Sequence, residues 1–431
     1  MTKSVMTLLT SQRFLPLFIT QFLGAMNDNI FKNALVILIT YRLSHATGIN
    51  AEKLIAIAGG VFILPFFLCS ATAGLLADKY IKSSLIVKVK IAEIVIMIFA
   101  SFALFSDQVS LLIFILFLLG VQAAFFGPLK YSLLPETLKK DELILGNGLI
   151  EAATFVAILL GTIIGGVFIL QNQGQWIISI MILAVAILGW ISSKFIPRST
   201  QHQATLPIRY NFVVETIHIF FNLKNHTNLL FCIVGISWFW FYGATLLSQL
   251  PIFTKHLLHA DQYVVSYFMA VFSIGIAVGS LICGKWMKKK TDLTYVIYAV
   301  LGVTLFTFDL CYVSASLEIP KGKTLIGLHT FLTTFHGLRL TLDLMLIAGC
   351  GGLFTVPLYA MLQSQSDVLV RARIMACNNI VNAFFMVMSA LSIVFFIQIG
   401  LSILQIFVVT AIANALVAFY LYQKSKDFCP K

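Results

Sequence analysis

The sequence predicts an all-α membrane protein of twelve transmembrane helices, and three observations predict it. Of its 431 residues, 59% are hydrophobic and only 11% charged, against roughly 45–50% apolar and 25% charged in a soluble domain. Apolar runs of the roughly 20 residues needed to cross a bilayer recur along the whole chain. The basic residues sort by loop, as topology requires.

The runs lie near residues 14–41, 53–76, 84–105, 109–129, 147–171, 175–196, 229–254, 263–286, 293–317, 341–363, 374–398 and 403–423. They are continuous rather than alternating and carry Gly and Pro internally, which transmembrane helices tolerate and barrel strands do not show. The start, MTKSVMTLLTSQR, is polar and basic and leads into a full-length span, so no cleaved signal peptide is expected.

The net charge of +12 takes its meaning from position. With both ends placed inside, one side holds Lys79, Lys82, Lys88, Lys90, Lys130, Lys194, Lys285, Lys288, Arg371 and Arg373 among others. The other side holds only Arg42, Lys53, Lys255, Lys321, Lys323 and Arg339. The bias puts both termini in the cytoplasm and speaks for membrane topology, not for nucleic acid. Seven scattered cysteines form neither CxxC nor a metal spacing; six read as small core residues and Cys429 as a free tail thiol. No metal and no cofactor is expected.

The longest hydrophilic break, residues 197–228, reads as a cytoplasmic linker between six-span halves at 1–196 and 229–431. Weak internal echoes support a duplication into two pseudo-symmetric six-helix bundles. Pro128-Leu129-Lys130-Tyr131 has its counterpart in Pro357-Leu358-Tyr359, Asn147 in Asn378, and GLLADKYIK at 74–82 in SLICGKWMK at 280–288. Between Glu318 and Leu340 the chain is too polar to span, yet Leu328, Phe331, Phe335 and Leu338 fall at helical spacing. A short amphipathic surface helix and an ordered loop are both open.

Gly74-Leu75-Leu76-Ala77-Asp78-Lys79, followed by Lys82, resembles the signature loop between the second and third spans of major facilitator proteins. That resemblance implies a twelve-helix major facilitator fold in which Asp78 meets the N-terminal dipole of the eleventh span, beside Arg371 and Arg373. There it would latch the halves in an outward-facing state. An anion at a helix N-terminus is worth roughly 0.3–1 kcal/mol. A solvated turn serving topology alone is the competing reading. The second copy has Gly284 where Asp78 would align, so any latch is one-sided.

Further segments, AMNDNIFKNAL (25–35), GPLKYSLLPE (127–136), NGLIEAATFVAILLGTIIGG (147–166), SWFWF (237–241), FHGLRLTLDL (335–344), PLYAMLQSQS (357–366) and RARIMACNNIVNA (371–383), resemble the lysophospholipid transporter family. They are most similar to its version fused to acyltransferase and acyl-carrier ligase domains, which are not expected here. The resemblance implies alternating-access transfer of lysophospholipids across a bacterial inner membrane, toward the cytoplasmic leaflet for reacylation. It also implies a monomer in the bilayer that serves a separate cytoplasmic acyltransferase. Gly74, Asp78, Lys79, Lys82, Lys130, Arg371 and Arg373 are the gating candidates.

A lysolipid carrier needs a polar interior for the head group and an apolar lateral path for the tail. A charge at the bilayer centre costs roughly 2.5–3.5 kcal/mol, so intramembrane charges are the first suspects. Gln21, Gly24, Asp28 and Lys32 fall on one face of the first span, with Asn27, Asn29 and Asn33 alongside. Asp28 suits an ammonium and Lys32 a phosphate; an ion pair that merely neutralises itself is the competing reading. Glu151 and Thr154 in the fifth span, and Asn378, Asn382 and Ser389 in the eleventh, make polar stripes for a cavity or for interhelical bonds worth about 0.6 kcal/mol each. Trp238 and Trp240 suit an ammonium by cation–π contact or plain packing. GTIIGG (161–166) and GIAVG (275–279) are small-residue patterns for close helix approach or a lateral seam.

No enzyme is expected. Gly279 to Lys285 reads GxxxxGK, but Trp286 replaces the Ser/Thr of a P-loop and no strand precedes it. His256 and Asp261 have an acyltransferase spacing without a domain to shape a site, and no nucleophile or base cluster supports a membrane acyltransferase. The alternative within transport is a proton-coupled carrier of drugs, siderophores or small metabolites, with Asp28 as its protonation site.

Overall fold

The structure is a computed structural model that describes residues 2–43, 51–106, 108–198, 226–286, 293–317 and 325–428. Residues 199–225 of the expected linker, the basic run 288–290, Lys321, Lys323 and Cys429 lie outside the described residues. In chain order the helices are α1 (Thr2–Leu9), α2 (Leu15–Leu38), α3 (Ala51–Lys79), α4 (Lys82–Ser106), α5 (Val109–Thr137), α6 (Leu143–Phe168) and α7 (Gly174–Ser193). There follow α8 (Thr227–Ile252), α9 (Gln262–Trp286), α10 (Leu293–Ala315), α11 (Leu328–Thr333), α12 (Phe335–Gln365), α13 (Arg371–Gln398) and α14 (Ile403–Phe428). Strand pairing among the described residues is a single bridge, Ala260 with Ile326.

All of these except α1 and α11 are at least 20 residues long, and 11 are long and apolar enough to cross a membrane. The remaining long helix, α4, carries Lys82, Lys88, Lys90 and Glu93 in its first half. Large apolar side chains stand exposed on its outer face, Phe102 at 70%, as they do at Leu305 and Leu416, where lipid rather than water is the fitting solvent. The chain is a multi-pass membrane protein.

Two stretches differ from expectation. α5 continues to Thr137, past the apolar run that ended near 129, through Pro128 and Pro135. The window ended early because Lys130 and Glu136 are polar, yet both find partners inside the protein, described below. The segment 328–340 is not one amphipathic helix. α11 stops at Thr333, and the Thr334 side chain accepts the Gly337 amide at 3.0 Å, which starts α12. Phe331 is buried edge-on against Phe268 at 5.4 Å, whereas Phe335 and Leu338 are exposed on α12.

The chain forms two compact units. The first comprises Met1–Gly146, Val156–Thr227 and Gln363–Ala383, the second Asn147–Phe155, Asn228–Leu362 and Phe384–Lys431. In the first unit α3 packs on α5, and α2 and α4 pack on α7. Phe31, Leu35, Met97, Leu104, Leu112, Leu116, Ile178 and Ile182 share one core. Glycines set the approach distances: a Cβ on Gly120 would stand 2.5 Å from the Phe62 carbonyl, and Gly161 and Gly165 face the Met26 and Ile30 carbonyls of α2. The GTIIGG pattern therefore serves close packing on α2.

In the second unit α10 packs on α14. Asn414 of α14 donates to the Val300 carbonyl at 2.8 Å and the Thr304 hydroxyl at 2.9 Å. Gly275 and Gly279 lie against Met345 and Gly349 of α12, so GIAVG is also a packing face. Phe155 stands edge-on to Phe239 and Phe272, each at 6.5 Å.

Candidate functional site

In the first unit, the most buried stripe of α2 runs through Gln21, Gly24, Asn27 and Phe31, because a 3.6-residue period drifts by about 20° per heptad. Asp28 and Lys32, expected at the centre of that face, lie half-buried at its margin. They do not pair. The Lys32 ammonium sits over the Phe62 ring at 5.3 Å, and Asp28 Oδ1 is buried with no hydrogen-bond partner. Ions four residues apart on a helix can meet, but here the aromatic ring holds the lysine instead, and the self-neutralised pair is not what the structure contains.

Beside them is a charge cluster that the sequence analysis missed. Lys90 Nζ bonds Glu93 Oε2 at 2.6 Å, both side chains fully buried. Gln122 Nε2 donates to Glu93 Oε2 at 2.8 Å and Asn27 Nδ2 to Glu93 Oε1 at 3.1 Å. The Lys90 ammonium also stands 5.4 Å from the Phe126 ring centroid. Gly24 makes room for it: a Cβ there would lie 2.6 Å from Lys90 Nζ. Lys90 is thus a fully buried residue of α4, not the loop charge that the sorting of lysines made it. The i,i+3 spacing of Lys90 and Glu93 at the head of an apolar run was the available signal.

Asp28 lies within coulombic reach of Glu93, Lys90, Lys32 and Lys130. Lys32, Lys90 and Lys130 thus gather around the carboxylates of Asp28 and Glu93, next to an acceptor oxygen of Asp28 with no donor. The cluster therefore offers a carboxylate oxygen to a cation and, at Lys32, an ammonium held only over a phenyl ring to an anion. Lys130 Nζ donates to Gln21 Oε1 at 3.2 Å and lies over the Tyr131 ring at 4.6 Å, which joins it to this group rather than to a loop.

Asn29 donates to the Ala25 carbonyl of its own helix at 2.7 Å, and Asn33 to Thr162 at 2.6 Å; both bonds are structural. Asn378 is 1% exposed, and neither its Oδ1 nor its Nδ2 has a hydrogen-bond partner, an exception among buried polar groups. Asn382 is buried in the same unit, and Glu151 is buried in the second.

In the second unit Trp238 donates its indole N–H to Asn414 Oδ1 at 2.8 Å and stacks on Phe241 at 5.0 Å. It lines a narrow recess with Phe239, Tyr242, Phe272, Ile347 and Phe354. Trp240 makes a 3.5 Å contact to the Tyr359 hydroxyl. Thr154 bonds its own helix at Ile150, and Ser389 bonds Thr245 at 2.8 Å.

The signature segment is locked within the first unit. Asp78 Oδ1 accepts the Ala372 amide at 2.8 Å, and Oδ2 accepts the Arg373 amide at 3.2 Å and Arg373 Nε at 3.0 Å. The carboxylate thus caps the first turn of α13, where free amides and the helix dipole favour an anion. Gly74 permits the approach, since a Cβ would stand 2.7 Å from that of Ala376 and 2.9 Å from the Ala372 carbonyl. Lys82, expected in a loop, is 2% exposed and bonds Glu136 at 2.6 Å. Arg371 donates to the Ser366 carbonyl at 3.2 Å and lies within coulombic reach of Glu136 and Asp78. Glu136 was not singled out by sequence. Nearby, Arg13 forks onto Glu142 at 2.8 and 2.6 Å, and this bond raises the guanidinium above its ordinary value.

Breaking a buried ion pair by removing one partner costs about 3–5 kcal/mol. Asp78→Asn is accordingly expected to lower the unfolding midpoint in a thermal melt in detergent. Lys79→Ala, whose ammonium only overlies the exposed Tyr80 ring at 6.0 Å, is expected to stay within about 0.5 kcal/mol of wild type.

Residues 17–320 match the Major Facilitator Superfamily. Among curated proteins, the chain is similar to the lysophospholipid transporter LplT of Enterobacter sp. (strain 638), 32% identical over 268 residues, which are 59% of this chain and 59% of that protein. It is similar also to LplT of Serratia proteamaculans (strain 568), 27% identical over 379 residues, 84% of this chain and 83% of that one. The first alignment thus spans about three fifths of its relative's length. Among solved structures, the human organic anion transporter MFSD10 has a TM-score of 0.74 at 12% identity, covering 95% of this chain and 99% of its own. A bacterial homologue of the iron transporter ferroportin has a TM-score of 0.68 at 12% identity, covering 94% and 98%. At that identity these two show the fold alone, and it is the twelve-helix transporter fold. By sequence match over most of its length and by this fold, the chain belongs to the Major Facilitator Superfamily.

Proposed function

We propose that this chain transports lysophospholipids, moving them across the bacterial inner membrane toward the cytoplasmic leaflet by alternating access. The observation that carries the proposal is the Asp28 cluster: an unpartnered buried carboxylate oxygen within coulombic reach of Lys32, Lys90 and Lys130. A lysophospholipid head group brings an ammonium and a phosphate together, and such a site meets both. The relatives named as lysophospholipid transporters support the same substrate. Asn378, with an amide that lacks any partner, is a further head-group contact in this proposal, as are Gln21, Asn27, Asn382 and Glu151. Trp238, whose indole N–H is held by Asn414, and Trp240 are in this proposal further contacts for the head-group ammonium through their ring faces.

In the same proposal the halves 1–196 and 229–431 are joined by a cytoplasmic linker at 197–228, with both termini in the cytoplasm. Asp78, with Gly74, Arg371, Arg373 and Lys82, forms the latch that opens and closes during the cycle. The protein acts as a carrier and not as an enzyme, works as a monomer and delivers its substrate to a separate acyltransferase.

The test is transfer of labelled lysophosphatidylethanolamine between leaflets of proteoliposomes holding the purified protein. Saturable transfer is expected, with no chemical change in the lipid. Absence of lysolipid transfer, together with proton-driven flux of a drug, siderophore or small metabolite, would replace this reading with the solute-carrier alternative.

A further inference from the structure

The second unit contains an ionisable group that neither the substrate site nor the latch uses. On α12, Arg339 forks onto Asp309 of α10, Nε to Oδ2 at 3.0 Å and Nη2 to Oδ1 at 2.6 Å. One turn further along α12 lies Asp343, 2% exposed. Its carboxyl is in hydrogen-bonding contact with that of Asp309, and its Oδ2 is buried with no partner at all. The guanidinium spends its fork on Asp309, so one positive charge faces two carboxyl groups.

Two ionised carboxylates are acceptors only and cannot bond each other; contact between them needs a hydrogen on one. Carboxyls that share a site in this way share a proton, and the pair titrates as a unit. We propose that Asp309 and Asp343 are a proton-binding pair, loaded from the adjacent aqueous phase through Asp309, whose side chain is 32% exposed, with Arg339 fixing the geometry. The proton comes from water at that end of the unit and returns to it, and no bond other than O–H is made or broken.

The surrounding elements supply few rivals for it. Arg339 is the cation facing the pair. On α10 the nearby titratable groups are Tyr312, which faces Arg339, and Cys311, whose thiol turns to the Leu404 carbonyl at the start of α14. That start of α14, Ile403 to Gln405, is neutral. α9, packed on α12 through Gly275, has no charged residue between Gln262 and Gly284. His336 is exposed one turn before Arg339.

A readout without substrate keeps this proposal separate from the lipid assignment. Infrared difference spectra of the reconstituted protein across a pH step should contain the carbonyl stretch of a protonated carboxyl, shifted in heavy water. Asp343→Asn should remove that band, since the amide replaces the protonated acid permanently. Asp309→Asn, which breaks the pair from the other side, should remove it too, while Asp28→Asn should leave it in place. A band unchanged in both Asp343→Asn and Asp309→Asn would overturn the proposal. So would a wild-type spectrum without the band but with a carboxylate signal that follows added sodium, because the bridging cation would then not be a proton.

Discussion

Asp28→Ala is expected to reduce lysophosphatidylethanolamine transfer in proteoliposomes by roughly 30-fold or more, with protein yield close to wild type. The magnitude follows from truncating one side of a desolvated charge interaction, which costs about 2–5 kcal/mol, and 2 kcal/mol is about a 30-fold change in an equilibrium. The yield is expected to hold because Asp28 Oδ1 bonds nothing in the protein, so its removal orphans no donor that the fold satisfies. Asn29→Ala is the matched control one residue along, since Asn29 bonds only its own helix. Transfer rates of the two variants at equal reconstituted protein separate a substrate contact from a general perturbation of α2. Normal lysolipid transfer by a well-expressed Asp28→Ala protein would remove the site.

The opposite pattern is expected of the cluster behind it. Glu93 accepts from Lys90, Gln122 and Asn27 at once, so Glu93→Leu strands a fully buried ammonium and two amides. Lys90→Met strands the carboxylate. Each single change should cost about 3–5 kcal/mol of stability and appear as lost folded protein in detergent. Replacing a buried pair by apolar side chains of similar size is often neutral or better, so the double variant Lys90→Met, Glu93→Leu should recover much of the yield. Thermal midpoints of the four proteins form a double-mutant cycle. Singles that melt like wild type would show that the pair contributes little, and a double variant no better than the singles would show that Gln122 and Asn27 need the carboxylate more than Lys90 does.

The helical order of this protein was legible because lipid imposes it: only an apolar run of sufficient length can cross, and each such run became a helix. Its ends were less legible. Hydropathy ended the fourth span near 129, and α5 runs on to Thr137, because pairing of Glu136 with Lys82 makes a polar turn as acceptable to the interior as an apolar one. The same effect hid Lys90. A lysine near a span end was assigned to a loop by the topology of its neighbours, and only the position of Glu93, Gln122 and Asn27 in space shows that it is inside. Asp309 and Asp343 were passed over because 34 residues separate them in sequence and no spacing rule connects two different helices. Asp28 was legible as an unusual residue, whereas its lack of a partner was not: the lysine four residues on was the obvious counter-ion, and a phenyl ring on α3 holds that lysine instead.

The fit of the Lys90 ammonium against Gly24 ties two distant sequence positions to one volume. A methyl group at 24 would stand 2.6 Å from Nζ, too close for both to stay, so alanine there requires the end of the side chain at 90 to shift or shorten. Descent should therefore register the two positions as one character. Proteins of this type with a larger residue at the former are expected to carry a shorter or displaced side chain at the latter.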